Sequence, residues 1–73
     1  MTYGSLFREY MNYLYSEDLS FAYDIVDYRP WGENSIVVFC KDGTSYKVKY
    51  RGDRFERQQV SNNDIAKKFN HKK

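Results

Sequence analysis

The chain has little with which to staple, ligate or catalyse. It holds one cysteine, one histidine and one proline among 73 residues. A single cysteine excludes an internal disulfide, which secreted domains of this size normally need, so the expected setting is a reducing cytoplasm. One Cys and one His satisfy no zinc pattern, and no metal or cofactor site is expected. Cys40 falls inside an apolar stretch and His71 near the end, so no Cys/His nucleophile pair is expected. The four glycines, Gly4, Gly32, Gly43 and Gly52, are isolated, which leaves no glycine-rich loop to cradle phosphate. No apolar run approaches the roughly 18 residues of a membrane span. Residues 1–9 carry no basic start followed by an apolar stretch, as a signal peptide would.

Aliphatic residues are scarce too. There are three Leu and two Ala, against eight Tyr, five Phe and one Trp. Core volume must therefore come from rings. Tyr, Phe, Asn, Lys and Ile are all favoured by AT-rich genomes, and Tyr and Trp are also enriched at interfaces. A chain this short buries only about 60% of the surface it exposes when unfolded. A single core of this size rarely supplies more than roughly 3–5 kcal/mol, which leaves little room for a pocket of desolvated catalytic groups. The expectation is one domain over residues 1–73 that works by binding, with no catalytic residues.

Charge is nearly balanced at +2 but unevenly placed. Residues 1–37 carry net −4 and residues 38–73 net +6. Such asymmetry between halves points to interaction.

The predicted fold class is α+β: a small antiparallel meander of three to four strands, with an N-terminal helix and a short C-terminal helix. Leu6, Phe7, Tyr10, Met11 and Leu14 form one helical stripe, giving a helix from Ser5 as N-cap to about Tyr15. Residues 16–20 read as a turn. Residues 21–28 read as a strand ended by Pro30 and Gly32, with a helix starting at Ser16 and lined by Leu19, Tyr23 and Val26 as the alternative. Ser35 to Lys41 and Thr44 to Tyr50 flank Asp42-Gly43, a type I′ hairpin signal. A two-residue loop pairs Phe39 with Tyr46 and Val37 with Val48, and turns these four side chains to the core. Ile36, Val38 and Cys40 then share the outer face with Ser45, Lys47 and Lys49. Arg51 to Arg54 reads as a turn and Phe55 to Val60 as a fourth strand. Ser61 and Asp64 form a capping box, with Val60 and Ile65 as a staple, for a helix from Asn62 to Phe69. Ile65, Ala66 and Phe69 are its expected apolar contacts. Residues 70–73 read as a short basic tail.

Two surfaces stand out. Glu17, Asp18, Asp24 and Asp27, with Tyr28 and Trp31, form an acidic and aromatic set suited to a larger protein partner, and tryptophan in a turn suits an interface anchor. Acidic strips can also imitate nucleic-acid phosphates. Lys47, Lys49, Arg51, Arg54, Arg57, Lys67 and Lys68 form a basic set whose alternative use is nucleic-acid binding. Asp24 and Asp27 would face opposite ways on a strand, so they offer no acid–base pair. Opposite charge poles and free sheet edges also permit a homodimer. In general character the chain is similar to small proteins encoded by phages and other mobile elements of AT-rich bacteria, some of which inhibit host defence nucleases such as CRISPR effectors. That likeness implies a regulatory or inhibitory module directed at a nucleic-acid-handling host protein. It assigns no residue a role.

Overall fold

A computed structural model describes residues 2–69, so the basic tail expected at 70–73 lies outside the described residues. The chain opens with a helix, α1 (Tyr3–Glu17). Its N-cap is Thr2, not Ser5: the Thr2 hydroxyl oxygen accepts the Ser5 N–H at 3.0 Å. Leu6, Tyr10 and Leu14 are its buried stripe, with Phe7 and Met11 packed beside them. Asp18 both ends α1 and starts the next helix. Its N–H donates to the Leu14 carbonyl at 2.7 Å, while its carboxylate accepts the Phe21 N–H at 3.3 Å.

That second cap overturns the strand expected from Phe21. Residues 19–24 form a short helix, α2 (Leu19–Asp24), which turns Ala22 into the core. The first strand, β1 (Ile25–Gly32), begins only there and runs straight through Pro30. Proline does not stop it because β1 is an edge strand, where a missing N–H goes unfelt. The sheet continues with β2 (Ser35–Cys40), β3 (Ser45–Tyr50) and β4 (Phe55–Val60), in the antiparallel order β1-β2-β3-β4. The last element is α3 (Asn62–Phe69). Its capping box forms as expected: Ser61 N–H donates to the Asp64 carboxylate at 3.3 Å, and Asp64 N–H donates to the Ser61 hydroxyl at 3.1 Å.

The central hairpin corrects the expected register. Cys40 N–H donates to the Thr44 carbonyl at 2.9 Å, and Gly43 N–H donates to the Cys40 carbonyl at 3.0 Å. The loop is therefore three residues, Lys41 to Gly43, with Gly43 left-handed at φ 91 after the turn. The Asp42 carboxylate accepts both the N–H and the hydroxyl of Thr44, at 3.0 and 2.6 Å. The extra loop residue pairs Val38 with Tyr46 and Ile36 with Val48. A one-residue slip turns every side chain of a strand over. Ile36 and Val38 enter the main core, while Val37 and Phe39 face the other way.

The sheet is consequently covered on both sides. On the first face, α1 and α2 pack over Ile36, Val38 and Val48, with Tyr28, Tyr46, Tyr50 and Phe55 around the rim. Rings supply much of the volume, as the composition requires. Phe7 stacks on Tyr28 at 4.1 Å, and Phe55 meets Tyr10 and Tyr50 at 5.1 and 5.2 Å between centroids. On the second face, α3 returns from β4 toward β1, where Phe69 meets Trp31 at 5.9 Å. Val37 points to this face and is completely buried, yet stands apart from the α1 cluster. No residue of α3 is itself fully buried, and Ala66, expected as a contact, is exposed.

Candidate interaction surfaces

The acidic candidates gather where α1, α2 and β1 meet. Glu17 ends α1, Asp18 joins the two helices, Asp24 ends α2 and Asp27 lies in β1 beside a bulge at Val26. All four are exposed, and none joins an ion pair among the described residues. Interleaved with them are large apolar side chains that the core does not use. Tyr23 is 63% exposed, Val26 60% and Leu19 46%. Leu19 and Tyr23 are four apart on α2, so they share a side of the helix while Ala22 faces inward. Tyr13 and Tyr15 on α1 add two more exposed rings. Leu19, Tyr23 and Val26 carry a helical spacing visible in the sequence. Their place on a surface follows only once Asp18 is seen to start a helix.

The two aromatic candidates of that set are occupied. Tyr28 is half-buried beneath Phe7, with the rings only 10° from parallel. Trp31 is half-buried against α3, its ring meeting Phe69 on edge and the Lys68 ammonium standing 5.5 Å from its centre. It belongs to the second face of the sheet, away from the α1–α2 corner.

The basic candidates separate into three groups. Arg51 and Arg54 are tied to a carboxylate: Arg51 Nε lies 2.9 Å and Arg54 3.4 Å from Glu56. These contacts, Arg51 first, hold the Glu56 carboxyl below its ordinary range. Arg57 pairs with Val48 and so lies on the first face, where its guanidinium covers Phe21 at 4.2 Å and Tyr46 at 5.5 Å. Lys47, Lys49, Lys67 and Lys68 remain. Lys47 and Lys49 project from β3 on the second face, where Lys67 and Lys68 of α3 join them. A cleft of about 400 Å³ there is lined by Trp31, Lys47, Gln58, Asp64, Lys67 and Lys68.

On the first face, a cleft of about 420 Å³ lies between α1 and β4, with Tyr10, Tyr13, Glu17, Asp18, Phe55 and Arg57 in its wall. Burial pushes the Tyr10 hydroxyl up to about 12, against the opposing pull of Arg57. The Cys40 thiol is also raised, chiefly by burial, so it rests as the neutral thiol inside the sheet. Among the described residues no group of three His, Cys, Asp or Glu side chains is placed to hold a metal ion. No helix among them is long and apolar enough to cross a membrane. No family model, curated protein or solved structure matches the chain.

Proposed function

We propose that the protein is a non-catalytic regulatory or inhibitory module that works in the cytoplasm by docking the α1–α2–β1 corner onto a larger protein. One observation supports this above the others. Over residues 17–27, exposed Leu19, Tyr23 and Val26 alternate with exposed, unpaired Glu17, Asp18, Asp24 and Asp27. Exposed apolar groups rimmed by charge are the pattern of an interface. Covering each apolar side chain contributes on the order of 1 kcal/mol, and the carboxylates steer the encounter and reject acidic surfaces.

The chemistry of the partner follows from the sign of that rim. A protein with a basic surface built for phosphates complements it, so the target class is a nucleic-acid-handling protein. A host defence nuclease opposed by a phage or mobile element belongs to that class. The basic groups of the chain lie mainly on β3, β4 and α3, with Arg57 reaching the edge of the acidic corner, where its guanidinium covers Phe21.

The test is capture from a bacterial lysate at low and high salt, with three baits: wild type, Leu19→Ser/Tyr23→Ser and Asp24→Lys/Asp27→Lys. Wild type is expected to retain a nucleic-acid-handling protein that both variants lose, while their melting temperatures stay within a few degrees of wild type. Variants that fold and keep the same partner would sink the reading.

A further inference from the structure

The second face of the sheet carries positive charge that the fold itself does not use. Lys47 and Lys49 stand two residues apart on β3, which places their stems roughly 6.6 Å apart along the strand. Lys67 and Lys68 enter from the last turn of α3. Among the described residues none of the four lies within ion-pair distance of a carboxylate. The two acids nearby are engaged: Glu56 holds Arg51 and Arg54, and Asp64 accepts the Ser61 N–H of its capping box. Lys68 is positioned by Trp31 below its ammonium and by the close approach of Gly32, where an added Cβ would stand 3.8 Å from Nζ. The cleft beside Trp31 shares Lys47 and Gln58 with a neighbouring one of about 430 Å³ that reaches Lys49 and Arg51. Together they make one groove along β3 and β4.

We propose that this groove binds the phosphodiester backbone of a single-stranded nucleic acid. Four uncompensated ammonium groups in a concave groove attract a polyanion and release its counterions. The spacing of Lys47 and Lys49 along a strand suits successive phosphates of an extended chain. Lysine acts as a point charge, without the bidentate geometry of arginine, so the contact reads backbone and not sequence. The groove lies on the opposite side of the sheet from α1 and α2, so this site is separate from the protein-docking corner and is tested without any partner.

Fluorescence anisotropy with labelled dT15 and rU15, against a blunt duplex of equal length, reads the site directly. Four phosphate contacts on a single strand give a salt slope near −2.8, so binding should weaken about 50-fold between 50 and 200 mM salt. Lys47→Gln/Lys49→Gln should lower the slope by about 1.4. Lys67→Gln/Lys68→Gln, on an exposed helix, should do the same, and guards against misfolding of the strand variant. Arg8→Gln/Lys41→Gln removes equal charge from exposed positions on α1 and the hairpin loop, outside the groove, and should leave the slope unchanged. No binding at 50 mM salt would overturn the site, as would equal losses in the Arg8→Gln/Lys41→Gln control. Duplex bound as tightly as single strand, or full displacement by millimolar inorganic phosphate, would overturn it too.

Discussion

The guanidinium carbon of Arg57 stands 4.2 Å above the ring of Phe21. This contact joins the outer strand β4 to the short helix α2 across the first face, with Tyr46 meeting Phe21 on edge at 5.2 Å. A cation over exposed aromatic rings is worth about 0.5–1 kcal/mol. Its loss bears on α2 first, because that helix has only one buried residue, Ala22. Arg57→Ala should therefore destabilise the protein by about 1 kcal/mol in urea unfolding, and Arg57→Lys should recover less than half, since a compact ammonium covers less of each ring.

The hairpin register makes a sharper prediction. Ile36 is completely buried in the α1 cluster, whereas Phe39 is half-buried on the other face. Ile36→Ala should cost about 2–5 kcal/mol through lost burial and the cavity left behind. In a domain of this size that is enough to abolish a cooperative thermal transition. Phe39→Ala should leave the transition in place. The opposite ranking would restore the two-residue loop and its pairing of Phe39 with Tyr46.

That register also shows how much was legible beforehand. The α1 stripe, the meander, β4 and the capped α3 follow from spacing and capping residues that act locally. The register of β2 does not, because Ile36, Val37 and Val38 are all fully buried. A strand covered on both faces has no alternation to fix its facing, so the loop decides, and Asp42-Gly43 serves a three-residue loop as well as a two-residue one. Residues 21–28 are ambiguous for a related reason: eight residues fit either period, and the deciding signal is Asp18 as a cap. The split of the basic set was hidden likewise. Arg57 and Gln58 differ by one position, yet the Arg57 guanidinium covers Phe21 on the first face while Gln58 pairs with Lys47 on the second.

Gly43 tests the loop itself. Its φ of 91 is left-handed, and a Cβ there would meet no atom within 4 Å. Gly43→Ala therefore suffers backbone strain without a clash, about 1–2 kcal/mol. Gly32→Ala adopts no such conformation and meets only the end of Lys68 at 3.8 Å. It should change the urea midpoint little. Equal effects at both positions would mean that the loop does not require the left-handed residue.

Alkaline pH should expose the buried Tyr10. Its hydroxyl holds its proton up to about 12, chiefly because burial penalises the phenolate, while the unfolded chain releases it near 10. Above pH 10 the unfolded state thus binds fewer protons than the folded one, and stability falls as pH rises. The contribution is fully present below pH 10 and is lost progressively toward pH 12, roughly 2–3 kcal/mol in all. Urea unfolding followed at pH 9, 10, 11 and 12 should show that decline in wild type. Tyr10→Phe keeps the ring against Phe55 and removes the titrating group, so its decline over the same interval should be shallower. Parallel curves for the two proteins would show that Tyr10 ionises as freely as an exposed tyrosine.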